Sequence, residues 1–338
     1  MRRPTVSFPC NFKFESALLR SRNLVILRMK KKQFNTAAVK VGGGLLAGVL
    51  APGAVHACAC GCSVFDVATS SMFPEGQGGT AFVQYAYQDQ DRNWHGSSEA
   101  SAADNDDKRI ETDFVTFGLQ YMFNRSWGAQ LQVPYDYRSF KTAESGSTET
   151  RNWSQLGDIR LEAIYTGFTE DLSAGLTFGV KLPTGDDSFD SDIVDRDTQI
   201  GTGSTDILLG GFYRGNLSPN WDWFGQLQLD VPVLIQAGYR PGLEVNAAAG
   251  IEYKSLAVGR VGITPLAQVI VSERTSDSGS AADSENSGYQ RILLSPGMEL
   301  NIHPVTIYAD AEFPVYQNFT GNQLAAPVMF KLSLGYMF

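Results

Sequence analysis

The 338-residue chain is 43% apolar and 19% charged, with 34 glycines, 4 cysteines and a net charge of −9. That composition excludes a disordered chain and a disulfide scaffold, and a mean hydropathy of −0.15 excludes a polytopic helical membrane protein. Residues 1–40 hold 10 of the 27 Lys and Arg but only Glu15 of the acids; from Cys58 onward 17 basic side chains face 35 acidic ones, a net −18 that argues against nucleic acid as a partner.

The amino terminus is expected to be a leader. Met29-Lys30-Lys31-Lys32 supplies a basic start, Val41–Ala57 an apolar run ending in small residues, and cleavage is expected after Ala57. Residues 1–57 therefore form a signal-peptide region, with Met29 as its expected true start. The apolar run is Gly-rich and broken by Pro52, whereas a spanning helix needs about 20 apolar residues. Residues 58–79 are expected to follow as a periplasmic segment containing Cys58, Cys60 and Cys62. In an extended chain these thiols share one face about 6.6 Å apart per step. One metal, held at about 2.3 Å per thiolate, would need Gly61 to fold the chain back. Three readings stay open: a soft metal ion such as Cu(I) or Zn(II) as cofactor with redox chemistry, a disulfide or link to a periplasmic partner, and lipidation of Cys58.

Residues 80–338 alternate apolar and polar side chains, the period of a β-strand. Leu243, Val245, Ala247, Ala249, Ile251 and Tyr253 define one face while Glu244, Asn246 and Glu252 define the other. Val115, Phe117, Leu119, Tyr121 and Phe123 repeat the pattern. Twelve strands are expected near 80–90, 110–123, 127–140, 157–166, 172–183, 203–214, 221–232, 243–254, 259–272, 288–300, 305–316 and 326–338. Pro183 and Pro232 are read as strand ends because proline cannot donate to a ladder. Short turns, such as Asn124-Arg125-Ser126 and Ile302-His303-Pro304, alternate with long polar segments at 91–109, 141–156, 184–202 and 273–287. An even count, runs of this length and this asymmetry predict an all-β fold, a transmembrane antiparallel up-and-down barrel of a bacterial outer membrane, partnered by outer-membrane lipid. Trp127, Tyr135, Tyr137, Tyr165, Tyr213, Trp221, Trp223, Tyr253 and Tyr336 fall near strand ends, where interfacial girdles sit.

The final run Val328, Phe330, Leu332, Leu334, Tyr336 and Phe338 alternates up to a terminal aromatic. Tyr336 and Phe338 read as the signal by which the barrel assembly machinery recognises such a chain. In this register Asp158, Arg160, Glu162, Lys181, Asp206, Asp230, Glu244, Glu252, Arg260, Arg291, Glu299, Asp310, Glu312 and Lys331 point into the lumen. Charges of both signs there either pair into a structural network, the reading preferred for a barrel of this size, or bias a pore toward one class of solute. Asp186, Asp187, Asp190, Asp192, Asp195 and Asp197 crowd one external loop beside Arg196; with no EF-hand spacing they read as solvated acids rather than a divalent-cation site.

Four motifs carry a resemblance: Gln155–Leu161 (QLGDIRL), Val180–Asp186 (VKLPTGD), Gly201–Asp206 (GTGSTD) and Tyr316–Leu324 (YQNFTGNQL). Over residues 80–338 the chain resembles the outer-membrane barrel family named for the MetA pathway of phenol degradation, with Gln155 where that family often has Gly. The resemblance implies a twelve-stranded barrel passing small, often aromatic or hydrophobic, molecules, and it does not extend to the cysteines. The expected function is thus a channel or uptake porin for a small-molecule solute. The alternative is a barrel that presents its cysteine cluster for metal binding, redox exchange or partner attachment. A hydrolase is the remaining class, and it is disfavoured because His95 and His303, the histidines after the leader, fall at opposite ends with no nucleophile motif, so no catalytic residues are assigned.

Overall fold

A computed structural model describes residues 73–338 apart from Glu75, Glu144 and Ser145. The expected leader and Cys58, Cys60 and Cys62 lie outside the described residues.

Twelve staves run in chain order: β1 (Gly78–Gln90), β2 (Asp107–Met122), β3 (Trp127–Thr142), β4 (Ile159–Tyr165), β5 (Ala174–Leu182), β6 (Ser204–Ser218), β7 (Trp221–Ile235), β8 (Glu244–Tyr253), β9 (Val261–Arg274), β10 (Tyr289–Ile302), β11 (Val305–Ala325) and β12 (Met329–Met337). Each pairs antiparallel with the next, and β12 returns to β1 from Thr80↔Met337 to Gln88↔Met329, closing the cylinder and leaving no open edge. The Phe338 carbonyl accepts from Gly79 N and its own N–H donates to Gly79 O, both at 2.9 Å, so the last residue seals the seam.

The alternation read from the sequence sorts the side chains as a membrane requires. Phe117, Leu119, Leu161, Phe178, Leu209 and Leu332 are exposed on the outside, while Gln88, Arg138, Asp206, Gln268, Glu312 and Lys331 are buried inside. A soluble sandwich would bury the first set and expose the second. This inverted arrangement is that of a transmembrane barrel, and the protein is an outer-membrane one. Trp127 packs on Tyr165 at 4.8 Å, Tyr213 on Trp223 at 5.1 Å and Trp221 on Tyr253 at 5.0 Å, all at the end of the short turns.

Several elements differ from the sequence reading. Within the segment expected as a loop at 141–156, Glu149–Leu156 pairs with the outer half of β3 from Tyr135↔Leu156 to Thr142↔Glu149, extending the line of β4 outward. The line breaks at Gly157, whose N–H bonds the Pro134 carbonyl at 2.9 Å and where a Cβ would lie 2.9 Å from Pro134 Cγ. Strand β7 does not stop at Pro232 but continues to Ile235 through a register shift between Pro232 and Leu234; a bulge accommodates the missing donor. Strand β11 runs through the motif 316–324 and leaves β12 after Glu312. Its outer end, Phe319–Ala325, pairs with Arg92–Gly96, the continuation of β1. Arg260, expected on a strand facing the lumen, instead sits exposed in a tight turn: Leu256–Val258 folds back on Val261–Ile263, and Gly259 takes the positive φ of +65° that this turn requires.

Candidate functional site

The lumen is unevenly filled. Along β9–β12 the inward side chains form a packed polar wall. Asp310 Oδ2 accepts from Ser295 Oγ at 2.7 Å, Tyr308 OH at 3.0 Å and Gln268 Nε2 at 3.0 Å. Lys331 Nζ lies 3.4 Å from Glu312 Oε1 with both side chains fully buried, and the Arg291 guanidinium stacks 4.1 Å over the Tyr289 ring. Burying an acid is costly, and here the cost is offset by neutral hydrogen-bond donors at Asp310 and by the Lys331 ammonium at Glu312.

The other half holds the space. Facing β2–β8 lies a chamber with a water-accessible volume of about 170 Å³, walled by Asp136, Arg138, Asp158, Arg160, Lys181, Asp206, Asp230, Glu244 and Arg274 together with Phe114, Pro134, Ile200 and Tyr239. Lys181 Nζ lies 2.6 Å from Asp206 Oδ2, its registered partner on β6. Arg160 Nη2 reaches Asp230 Oδ2 at 2.8 Å. Arg160 is on β4 and Asp230 on β7, so this ion pair spans two intervening staves and bridges a corner of the lumen. Beneath it a second space of about 50 Å³ is lined by Gln120, Gln130, Gln132, Glu162, Thr177, Gln226 and Gln228.

The residues of three sequence motifs meet at the roof of the chamber. Asp158, freed by the break in the line of β4, accepts from Gly185 N at 3.1 Å and from Thr202 N at 3.0 Å and Thr202 Oγ1 at 2.5 Å. Thr184 Oγ1 donates to Gly157 O at 2.8 Å and accepts from Ile159 N at 2.9 Å. Gly185 and Gly201 let the two ends of the loop touch: a Cβ on Gly201 would lie 2.3 Å from the Gly185 backbone. Loop 183–203, pinned at its base, folds over the mouth and buries Val194 and Ile200 against Ile110, Phe140, Trp153 and Leu324. Arg138 Nη1 donates to the carbonyls of Thr198 at 2.6 Å and Gln199 at 3.2 Å, and Arg196 lies over the Tyr239 ring at 4.4 Å. The loop acids are used rather than merely solvated: Asp187 pairs with Arg196 and Asp190 with Arg151, each at 2.5 Å.

The family described as the MetA-pathway of phenol degradation matches residues 95–326, most of the barrel. The chain belongs to that family. Among solved structures, this MetA-pathway barrel is similar to an outer-membrane channel from Pseudomonas putida F1, with 13% identity, a TM-score of 0.62 and coverage of 80% of this chain and 100% of that one. The β domain of the Bordetella autotransporter BrkA gives 12% identity, a TM-score of 0.49 and coverage of 78% and 100%. The monoaromatic hydrocarbon channel CymD gives 9% identity, a TM-score of 0.41 and coverage of 78% and 89%. Among curated proteins no relative matches the chain.

Of the residues expected in the lumen of the MetA-pathway barrel, Asp158, Arg160, Lys181, Asp206, Asp230 and Glu244 meet in the chamber and Glu162 lines the space below it. Arg291, Asp310, Glu312 and Lys331 stand in the packed wall. Glu252 sits at the periplasmic rim, 3.2 Å from Lys254, and Glu299 is half-buried opposite Tyr308. The sequence reading did not single out Asp136, Arg138 and Arg274. The same alternation that exposes Leu131, Tyr135 and Tyr137 places Asp136 and Arg138 inside. Among the described residues no group of three or more His, Cys, Asp or Glu is placed to hold a metal ion. His95, on the external extension of β1, and His303, in a periplasmic turn, are both exposed and stand at opposite ends.

Proposed function

We propose that this outer-membrane barrel is a channel for the uptake of small molecules, and that its route runs down the β2–β8 half of the lumen. One observation carries the reading: two polar-walled spaces lie in that half, facing the hydrogen-bonded wall of β9–β12. Six carboxylates and five cations line the upper chamber, Asp197 and Arg196 among them, so its field is nearly balanced and suits neutral solutes. Phe114, Ile200 and Tyr239 interleave with those ionic groups, which supports a ring-bearing molecule with a polar substituent, and the family's description points to the same kind of cargo. Among the described residues, His95 and His303 stand apart from each other and from the chamber.

Proteoliposome swelling tests the reading. Phenol-sized neutral aromatics are expected to enter vesicles carrying the mature protein faster than empty vesicles, and a Cys58/Cys60/Cys62→Ser variant is expected to match the wild type. Swelling no faster than in empty vesicles would overturn the channel. Loss of flux in the serine variant would move the function to the cysteine cluster.

A further inference from the structure

The roof of the chamber hangs on a narrow neck. Loop 183–203 leaves and re-enters the barrel where Gly185 meets Gly201, with Gly201 N donating to Asp186 O at 3.0 Å, and Gly203 takes a positive φ of +64° beside that neck. Arg196, Asp197, Gln199 and Ile200 of the loop form the chamber's ceiling. Beyond the neck the loop rests on the barrel through Val194 and Ile200 in their apolar seat and through the Arg138 guanidinium on the Thr198 and Gln199 carbonyls.

One contact in that seat joins like groups. Asp107, at the outer end of β2, is 3% exposed, and its carboxyl hydrogen-bonds that of Asp195, with Asp197 close enough to act on it. An ionised carboxylate only accepts, so this bond exists only while one of the two acids holds a proton. Among the described residues no N–H or hydroxyl donates to Asp107 Oδ2. The other groups facing Asp107 are neutral: the Thr142 hydroxyl on β3 bonds its carboxyl, and the Asn105 side chain accepts from its N–H at 2.7 Å and bonds Asn93 on the continuation of β1. Arg92 and His95 on that continuation are exposed. The neighbouring cations are engaged with other groups. Arg196 pairs with Asp187 and lies over Tyr239, and Arg151 pairs with Glu149 and Asp190. Arg109 pairs with Asp89 and Glu111, and Lys108 Nζ donates to the Ala102 carbonyl at 2.8 Å.

We propose that loop 183–203 is a pH-operated lid, shut over the chamber by the proton that Asp107 shares with Asp195 and lifted on its neck when that proton is lost. Both acids then carry charge at one buried seam, and like charges held together there repel. Lifting carries Asp195 and Asp197 into water while Asp107 stays on β2. Closure binds a proton, so the shut form is favoured in acid, and the open form gains by up to about tenfold per pH unit as the pair ionises. The lid is independent of what the barrel carries; its effect on flux rests on the channel proposed above.

The test uses the full mature chain in proteoliposomes, with Cys58, Cys60 and Cys62 changed to Ser and one reporter thiol, Val194→Cys, under the lid, where the native side chain is 2% exposed. Labelling by a membrane-impermeant thiol reagent is followed from mildly acidic to mildly alkaline pH in the Asp107 protein and in Asp107→Asn. The asparagine amide donates to Asp195 without titrating, so the ratio of the two rates at each pH removes the thiol's own ionisation. That ratio is expected to climb with pH, by up to about tenfold per unit, and Asp195→Asn is expected to stay protected as Asp107→Asn does. A second reporter, Ser295→Cys in the wall of β9–β12, is expected to stay protected throughout. A ratio that is flat with pH, or labelling that rises equally at both reporters, would overturn the lid. Conductance is recorded in parallel and is expected to rise with pH only where Asp107 and Asp195 are both present. A climbing ratio with silence at every pH would keep the lid and overturn the channel; a flat ratio with stable conductance would do the reverse.

Discussion

At the outer mouth, Asp107 is buried with Asp195 and Asp197 nearby, and burial first, then those two charges, push its carboxyl well above its ordinary value of 3.8. A proton held more tightly by the folded protein gives stability that is present at low pH and lost as pH rises through the raised value. Asp107→Asn keeps the shape and removes the charge, so it is expected to raise stability at neutral pH and to change little in acid. Thermal unfolding at both pH values checks this, and an unchanged pH dependence in the variant would contradict it. Residue identity alone shows that such acids are numerous, but not which are buried. Asp107 and Asp197 look alike in sequence, and only the fold of loop 183–203 distinguishes them.

At the scale of the element, period-2 alternation made the staves legible because a barrel in lipid must place opposite chemistries on its two faces. What alternation cannot register is a stave that changes neighbour. Glu149–Leu156 (ETRNWSQL) and Phe319–Ala325 (FTGNQLA) lack the strict apolar–polar alternation of the lipid-facing staves, so they read as loops although their backbones pair. The close approach of β4 and β5 is equally hidden. A Cβ on Gly179 would lie 2.1 Å from Leu161 O and 2.7 Å from Glu162 Cα, both backbone atoms that cannot swing aside. Gly179→Ala is therefore expected to cost about 1–3 kcal/mol, as overpacking does. Gly225, where the nearest atom to an added Cβ is 3.9 Å away, is expected to accept alanine with little change. Urea unfolding of the two variants in detergent measures the contrast, and equal midpoints would refute it.

For the whole molecule, the chemistry of the interior divides the barrel lengthwise. A buried ion pair and a cluster of hydrogen bonds line β9–β12, and the other half holds a chamber roofed by loop 183–203 and bridged by Arg160 and Asp230. Under the channel proposed above, the charges of the chamber would serve as its solute-facing lining and those of the wall as a structural network. Three of the four resemblance-bearing motifs meet at the roof, where Asp158, Thr184, Gly185 and Thr202 pin the loop that shapes the chamber. Single-channel conductance of the refolded mature protein, compared with Arg160→Ala, tests this account most directly. It predicts a stable conductance in the wild type and a larger one once the ion pair across the lumen is removed. Silence in both, under conditions where a control porin conducts, would contradict it.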